Sequence, residues 1–457
     1  MLLEFSVTNY RSIRDTQTLR MTASKYYKGL EETNCFDVNV AGLPKLLRAA
    51  VIYGPNAAGK SNLLHALNFM QMFVLQSQSH QEGHLINVSP FALNTHMGTK
   101  PSELEIFFVQ DGVRYQYGFA VNRSRVTREW LFAFPEGKAQ RWFERKLDAK
   151  AGEDQWYFGS KFTGQRRVWQ EATRKNALFL STAIQLNNEQ LKPVFGWFQE
   201  RLAVILPGAP INLQLSIDQC ASEEGAQRIM GFLNSADIGI AGIEVKKIPI
   251  PPMKPEMLPP DMPQPLKEQV LRGMQGKTIP DIRFFHKTNT GESVSFNFGD
   301  ESDGTRKLFA FAGPWLDVLA RGRILFVDEL DTSLHPLMVR FLIGLVQNSE
   351  INKHNAQLIF TTHDTSVLDI ELFRRDQVWF VEKDPEQASR LYPLSDFNPR
   401  KGEALEKGYL NGRYGALPFI GDLRFGWERM TCFTGERLAR LSRIGERRRS
   451  VLHTNGS

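Results

Sequence analysis

The chain has 457 residues, of which 42% are hydrophobic and 23% charged, and its formal net charge is +6. This length predicts two to four lobes, and the composition excludes a wholly disordered chain, a collagen and a coiled-coil rod. No apolar stretch approaches the roughly 18 residues that a membrane helix needs, and Glu4 stands where a signal peptide would carry a base, so we expect a cytoplasmic protein without a membrane partner.

The first motif with chemical content is a glycine-rich loop. It reads Gly54-Pro55-Asn56-Ala57-Ala58-Gly59-Lys60-Ser61 and matches the phosphate-binding pattern G-x-x-x-x-G-K-[ST]. The apolar run 49–53 before it predicts a buried strand, and apolar residues at helical spacing after it predict a helix. In such a unit Lys60 meets the phosphates of ATP and Ser61 ligates Mg²⁺. The predicted nucleotide-binding residues of this segment are Gly54, Asn56, Ala58, Gly59, Lys60, Ser61 and Asn62.

Residues 96–187 predict an antiparallel β lobe. Residues 103–121 alternate polar and apolar around Asp111-Gly112, a pattern typical of a β-hairpin, and short aromatic-rich runs continue to Phe158. The aromatic side chains either pack in the core and at sheet edges, which is the commoner role, or form a stacking platform for nucleic acid.

Residues 188–280 predict a helical insertion with a proline-rich loop. Apolar residues recur at three- and four-residue spacing from 188 to about 240. Eight of the chain's 23 prolines then fall between Pro249 and Pro265, and this density predicts an extended or mobile segment without a helix. The segment serves either as a linker or as a docking strip for a partner protein.

The segment Glu301-Ser302-Asp303-Gly304-Thr305-Arg306-Lys307 predicts the start of a helix. Ser302 suits the N-cap position, and the free N–H groups of the first turn could receive an anion. If that anion is the γ-phosphate of ATP held by a second copy, the nucleotide joins two chains. Taken alone, the segment favours an ordinary N-cap turn.

The run Ile324-Leu325-Phe326-Val327-Asp328-Glu329 predicts a buried parallel strand that ends in two carboxylates. Ligands of α/β sheets bind at the carboxyl ends of such strands. Asp328 is therefore expected in the Mg²⁺ shell, and Glu329 is expected to orient or deprotonate the water that attacks the γ-phosphate.

A second buried strand is predicted at 358–362 and ends at His363. A histidine in that position can hydrogen-bond the γ-phosphate and respond to its cleavage. Taken alone, His363 is more simply a hydrogen-bonded histidine at a strand end, and His335, in the turn Leu330-Asp331-Thr332-Ser333-Leu334-His335-Pro336, is more simply a helix-start residue.

These motifs, in this order, resemble the ABC-type ATPase heads of the SMC/RecF/OLD clan, to which the opening Phe5-Ser6-Val7-Thr8-Asn9-Tyr10-Arg11-Ser12 is also similar. Within the clan the chain resembles the compact AAA-family ATPases of bacterial abortive-infection and other antiphage operons, to whose C-terminal segments residues 398–419 are similar. The resemblance implies an α/β fold: a P-loop, ABC-ATPase-like head with a mainly parallel sheet, an antiparallel β lobe and a helical insertion.

The resemblance also implies roles for single residues. Glu329 is the catalytic base and His363 the switch histidine. Ser302 and Gly304 contact ATP across a dimer, and Asp331, Leu334 and His335 form a turn that faces the partner subunit. Arg11 lies near the edge of the nucleotide. A glutamine-bearing loop near the metal is represented by Gln185, whose alternative is a surface glutamine after a strand.

The expected division of the chain is the N-terminal part of the head at 1–95, the β lobe at 96–187, the helical insertion at 188–280, the C-terminal part of the head at 281–395, and an extension at 396–457. The function implied is an ATP-hydrolysing, dimerising regulator of an antiphage system with a separate effector protein. The alternative is a DNA-binding repair or recombination ATPase. The expected cofactors are ATP and Mg²⁺.

Most of the net positive charge lies in the last 34 residues of the sequence. Residues 424–457 contain eight arginines and three glutamates, which account for +5 of the +6. Residues 434–449 could form a basic helix or a solvated terminus, and a basic tail could bind nucleic acid or an acidic protein.

Overall fold

The computed structural model describes residues 1–206, 213–236, 238–249, 257–259, 261–274, 278–399 and 403–418. The strands in these ranges are β1 (Leu2–Thr8), β2 (Gln17–Arg20), β3 (Cys35–Phe36), β4 (Leu46–Leu47), β5 (Ala49–Tyr53), β6 (Ser102–Gln110), β7 (Val113–Val121), β8 (Val126–Phe134), β9 (Gln140–Leu147), β10 (Asp154–Phe158), β11 (Leu202–Ile205), β12 (Gly242–Pro249), β13 (Thr278–Lys287), β14 (Ser293–Asn297), β15 (Ile324–Val327), β16 (Gln357–Thr361), β17 (Val378–Lys383) and β18 (Ser389–Pro393).

The helices of the same ranges are α1 (Glu31–Asn34), α2 (Lys60–Gln76), α3 (Thr95–Thr99), α4 (Arg166–Ala172), α5 (Phe179–Gln185), α6 (Lys192–Gly196), α7 (Gln214–Cys220), α8 (Glu223–Ser235), α9 (Gln264–Met274), α10 (Asp303–Arg321), α11 (Pro336–Gln347) and α12 (Leu405–Leu410). None of the helices in the described part of the chain combines the length and the apolar character that crossing a membrane requires.

A mainly parallel sheet forms the centre of the fold. Within the described residues its strand order is β11-β15-β16-β5-β17-β18, and all neighbours are parallel except β17 and β18. β5, β15 and β16 are buried along their whole length, as their apolar sequences require for strands covered on both faces. The predicted mainly parallel sheet is therefore confirmed.

The two faces of this sheet belong to different hydrophobic cores. One core packs Ala50 and Ile52 of β5 with α2 and the antiparallel strands. The other packs Val51 and Tyr53 with α8, α10 and α11. Alternate residues of one strand thus join the two halves of the molecule.

The antiparallel sheet has the strand order β10-β9-β8-β7-β6-β1-β2 within the described residues. β6 and β7 form the predicted hairpin, and both turn residues, Asp111 and Gly112, have positive φ, as a two-residue hairpin turn favours. β1, which the sequence assigns to the 1–95 segment, pairs with β6 of the 96–187 segment. The two segments therefore share one sheet, because strand pairing is set by tertiary contacts that local pattern does not contain.

The 188–280 segment is less helical than predicted. α6, α7 and α8 agree with the helical pattern, but Leu202–Ile205 is the edge strand β11 and pairs in parallel with β15. Another antiparallel sheet, which has three strands in the order β12-β13-β14, also begins in this segment. Runs of four apolar residues carry too little periodicity to separate strand from helix.

The proline-rich window is also partly different from the prediction. Pro249 ends β12, and Pro265 lies in the first turn of α9, so the prediction that the window contains no helix is wrong at that point. The first helical turn tolerates proline because its N–H groups have no partner within the helix. Pro251, Pro252, Pro255 and Pro260 lie outside the described residues, as does the basic stretch 434–449.

Candidate functional site

The carboxyl ends of three adjacent parallel strands meet at one edge of the central sheet. β16 lies between β15 and β5, with Val327 opposite Phe360 and Thr361 opposite Ile52. The residues that follow these strands are the glycine-rich loop, the two carboxylates and the Thr-His segment. The fold therefore brings the three predicted motifs to the same edge.

The glycine-rich loop requires glycine at two positions. Gly59 has a φ of 110°, and a Cβ there would collide with the hydroxyls of Ser389 and Ser12. A Cβ on Gly54 would collide with the backbone carbonyl of Val381. The loop is thus packed on one side against Val381, Ser389 and Ser12, which leaves its other side to face a ligand.

Lys60 is buried at the start of α2 and connects the loop to the Thr-His segment. Its ammonium donates to the carbonyl oxygens of Gly54 at 2.8 Å and Pro55 at 3.3 Å, and it lies 3.0 Å from Nε2 of His363. Burial lowers the pKa of Lys60 to about 8, and three nearby carboxylates oppose that shift. Burial and then the charge of Lys60 lower the pKa of His363, which favours a neutral ring that accepts the ammonium hydrogen.

Asp328 and Glu329 share one hydroxyl partner. Asp328 is 5% exposed, and its Oδ1 accepts a hydrogen bond from the hydroxyl of Thr361, while the N–H of Glu329 donates to the same hydroxyl at 2.8 Å. Glu329 adopts a φ of 51°, a left-handed conformation that is uncommon outside glycine. Its side chain is half-buried.

One oxygen of Asp328 has no hydrogen-bond partner among the residues that the structure describes. Among the buried carboxylates of the described residues, which also include Glu129, Asp376 and Asp384, only Asp328 has an oxygen, Oδ2, that is both buried and unpaired. An unpaired buried carboxylate oxygen is unfavourable unless a ligand completes its interactions.

The residues present fit a magnesium–nucleotide ligand. A hard carboxylate oxygen at Asp328 and the hydroxyl of Ser61 at the start of α2 are the ligand types that Mg²⁺ prefers, and Mg²⁺ usually takes its remaining ligands from water and phosphate. When bound, such an ion would offset the negative charge of the phosphates. Within the described ranges no cluster of three or more His, Cys, Asp or Glu residues forms a metal site by itself.

The predicted signature residues lie at the start of α10. Ser302 caps this helix by accepting the N–H of Thr305 at 3.1 Å, as expected. A Cβ on Gly304 would lie 3.7 Å from the carbonyl of Ser333, and Lys307 donates to the carbonyl of Thr332. The start of α10 therefore packs on the turn 331–333 of its own chain, and its hydrogen bonds in the described residues do not reach the glycine-rich loop.

The turn after Glu329 has two roles in the structure. Asp331 accepts the N–H of His363 at 3.3 and 3.4 Å, so the turn supports the histidine. His335 is exposed and caps α11 by accepting the N–H of Leu337 at 3.3 Å, which is the helix-start role that the sequence left open. Leu334 is partly buried and packs against the hydrophobic core to which α11 contributes.

Arg11 lies beside the start of α2. Its guanidinium is 3.5 Å from Oδ1 of Asn62, whose amide donates to the hydroxyl of Ser12 at 2.6 Å. Arg11 is exposed and has a φ of 48°. The structure thus brings Arg11 and Asn62 together at the rim of the loop.

Ser389 is a contact of the loop that the sequence did not indicate. Its hydroxyl donates to the carbonyl of Ala58 at 2.5 Å and lies 2.8 Å from the hydroxyl of Ser12. Ser389 begins β18, more than 300 residues further along the chain, and nothing in its neighbourhood resembles a binding motif. Only the folded structure reveals this support.

Gln185 does not reach this edge of the sheet. It is the last residue of helix α5 and is exposed, whereas the sequence predicted a loop or strand end. α5 packs near the far end of α2, where Ser181 hydrogen-bonds Ser77 at 3.0 Å, and Gln185 lines a cavity of about 310 Å³ beside Gln78. The helix α2, of 17 residues, separates this point from Lys60, so we assign Gln185 no contact with a metal.

The fold and the edge define a class. A glycine-rich loop between a buried parallel strand and a helix, beside a second strand that ends in two carboxylates, is the arrangement of P-loop nucleotide-binding proteins. Residues 49–204 and 211–369 match the family described as "AAA domain, putative AbiEii toxin, Type IV TA system". The chain belongs to this family, and the resemblance to AAA-family ATPases of abortive-infection systems is confirmed.

The solved structures that the chain matches include heads of SMC proteins. The SMC head domain from Thermotoga maritima is 12% identical, with a TM-score of 0.38 over 86% of this chain and 98% of that one. An Smc head with an extended coiled coil, bound to the C-terminal domain of ScpA and derived from Pyrococcus furiosus, is 10% identical, with a TM-score of 0.34 over 86% and 96% of the two chains. No protein of curated function matched the chain.

Proposed function

We propose that this protein is an Mg²⁺-dependent ATPase that dimerises through bound ATP. The observation that carries the proposal is the convergence of Lys60, His363, Asp328 and Glu329 at one edge of the sheet, with an unpaired buried oxygen on Asp328. Each of these side chains has either an unused polar atom or a hydrogen bond that phosphate, water or a cation could replace.

Lys60 is expected to exchange protein contacts for phosphate oxygens. In the free protein its ammonium contacts two carbonyl oxygens and a neutral histidine rather than a carboxylate. Phosphate oxygens of ATP are stronger partners for an ammonium than carbonyls, so the exchange favours binding. His363, released from Lys60, could then hydrogen-bond the γ-phosphate.

Glu329 is the proposed general base. Its carboxylate follows the buried strand β15 and is only partly buried, so a water molecule can reach it. Its one side-chain hydrogen bond within the described residues, from the hydroxyl of Thr332, is long at 3.4 Å. A carboxylate in this setting can accept a proton from the attacking water.

The start of α10 is the proposed surface for the second copy. Ser302 and Gly304 lie on the turn 331–333 and, within the described residues, make no hydrogen bond to the loop of their own chain, so we infer that the nucleotide they contact is ATP held by another copy. The free N–H groups at a helix start favour a negatively charged ligand.

The dimer is tested with Glu329→Gln, which should bind ATP without consuming it. Light scattering is expected to show a doubling of mass with Mg²⁺ and ATP, and no doubling with ADP. Lys60→Ala serves as the control and should keep the same mass with either nucleotide. A mass of Glu329→Gln that ATP does not change would contradict the dimer.

We further propose that the ATPase regulates a separate effector protein in an antiphage system, in the cytoplasm. Support comes from membership in a family described by an abortive-infection toxin and a type IV toxin–antitoxin system. A DNA-binding repair ATPase is the competing function, and the basic residues after Arg424 would be its binding surface.

Purification of the native complex separates the two functions. Mass spectrometry and nucleic-acid extraction are applied to the same sample, with a chain ending at residue 423 as the control. A stoichiometric protein partner supports the regulator. DNA that copurifies with the full chain and is absent with the shortened one supports the repair function and contradicts the regulator.

A further inference from the structure

Thr361 occupies a central place between the two functional strands. It ends β16, which lies between the strand of the glycine-rich loop and the strand of the two carboxylates. Its side chain is fully buried. Val327 is opposite Phe360 in the parallel register, so the next positions, Asp328 and Thr361, are neighbours with side chains on the same face.

The hydroxyl of Thr361 uses its donor and its acceptor for different residues. It donates its one hydrogen to Oδ1 of Asp328 and accepts the N–H of Glu329 at 2.8 Å. A hydroxyl has a single hydrogen, so the direction of both bonds is determined. One side chain thus holds the carboxylate of one residue and the backbone of the next.

Each of the two bonds restrains a feature that the proposed reaction needs. The bond to Oδ1 fixes the rotamer of Asp328, which leaves Oδ2 as the unpaired oxygen. The bond from Glu329 secures a left-handed backbone, with a φ of 51°, that determines where the glutamate side chain points.

We propose that Thr361 is a positioning residue that sets the orientation of both Asp328 and Glu329. The proposal rests on the proposed ATPase function, because only a reaction at this edge gives the orientation a purpose. A purely structural role, in which the hydroxyl merely satisfies a buried carboxylate, is the alternative that the experiment must separate.

Three variants isolate the hydroxyl. Thr361→Val removes it at nearly constant volume, and Thr361→Ser keeps it. Thr182→Val makes the same change at a buried threonine of α5, whose hydroxyl donates to the carbonyl of Leu178 at 3.0 Å, remote from the site. If Thr361→Val does not fold, as judged by thermal unfolding, Thr361→Ala takes its place.

The first measurement uses the protein without nucleotide. Hydrogen exchange followed by mass spectrometry should show faster exchange in peptides covering 324–334 for Thr361→Val, because the N–H of Glu329 loses its acceptor. Thr361→Ser and Thr182→Val should exchange there like the wild type. Unchanged exchange in Thr361→Val overturns the proposal.

The second measurement uses Mg²⁺ and ATP. Misplacing both carboxylates should lower kcat by roughly 10- to 100-fold, raise the Mg²⁺ concentration needed for half-maximal turnover, and leave ATP affinity within about threefold. Thr361→Ser should restore kcat. A purely structural role predicts lower stability with unchanged kcat for the folded protein, and that result overturns the proposal.

Glu329→Gln is measured in parallel, so that the two proposals fail separately. If the wild type turns over ATP, Glu329→Gln does not, and Thr361→Val equals the wild type, the positioning role is wrong and the ATPase stands. If the wild type does not hydrolyse ATP, the ATPase proposal is wrong and the positioning role falls with it, whatever the exchange data show.

Discussion

The two large sheets differ in how completely their buried carboxylates are hydrogen-bonded. In the antiparallel sheet, Glu129 is fully buried, and its two oxygens accept hydrogen bonds from the N–H groups of Phe179 and Leu180 and from the hydroxyl of Tyr117. At the edge of the parallel sheet, Asp328 has one oxygen without a hydrogen-bond partner in the described part of the chain. The first carboxylate is complete within the protein, and the second is incomplete without a ligand.

The same contrast holds for the buried cations. Arg145 of β9 pairs with Asp154 at 2.8 Å and also donates to the carbonyl of Ala177. The ammonium of Lys60 contacts two carbonyl oxygens and a neutral histidine, and it has no carboxylate partner within 4.0 Å in the described residues. Burial of charge therefore does not identify a site by itself. The edge of the parallel sheet is distinguished, within the described residues, by an incompletely paired carboxylate close to an ammonium that has no carboxylate partner.

Lys60→Ala is expected to give the largest effect on ATP binding. Loss of a charge-assisted contact to phosphate should weaken ATP binding by about 100-fold. Because burial lowers the pKa of Lys60 to about 8, the buried charge opposes folding near neutral pH, and its removal should not lower the melting temperature. Titration calorimetry and thermal unfolding test the two parts. A stable variant with normal affinity for ATP would contradict the role of the loop.

Glu129→Ala should show the opposite behaviour. It leaves two buried N–H groups and the hydroxyl of Tyr117 without their acceptor, so the free energy of unfolding should fall by about 3 kcal/mol. The folded fraction should bind ATP normally. Glu129→Gln keeps an acceptor of similar shape and is the matched control, with a smaller loss expected in urea unfolding. Weaker ATP binding in folded Glu129→Ala would remove the distinction between the sheets.

Gly59→Ala should have an intermediate effect. The new methyl meets the hydroxyls of Ser389 and Ser12 and requires a φ of 110°, so the loop must shift and ATP affinity should fall by about tenfold. Gly83→Ala is the matched control, because Gly83 also has a positive φ but open space around it. Equal ATP affinities in the two variants would show that the packing behind the loop is unimportant.

Removal of residues 424–457 should have the smallest effect. These residues carry most of the net charge and lie outside the described ranges and the family match. ATP turnover without partners should remain within about twofold of the full chain, as expected for a terminal segment apart from the reaction centre. A large loss in a phosphate-release assay would place the tail in the ATPase itself.

Short stretches of sequence were sufficient to predict the elements that depend only on neighbouring residues. The strand–loop–helix unit at Lys60, the β6–β7 hairpin and the strand before Asp328 each depend on a short stretch of apolar spacing or turn residues. The cap at Ser302 was found for the same reason, because a side-chain cap is decided within four residues.

Long-range pairing accounts for most of what local pattern missed. β11 is a strand because it pairs with β15. Ser389 contacts the glycine-rich loop because β18, which is more than 300 residues further along the chain, lies beside it in the fold. Gln185 was placed near the metal by resemblance alone, and helix α5 carries it to the far end of α2. Thr361 has no motif of its own, and its role is visible only from its two hydrogen bonds.

The most direct test of the ATPase is phosphate release from Mg²⁺ and ATP by the wild type and by Glu329→Gln at equal concentration. Removing the general base should lower the rate by at least about 100-fold, while ATP affinity stays within a few-fold. Equal rates for the two proteins, or a wild type that binds ATP and releases no phosphate, would contradict hydrolysis at this edge of the sheet.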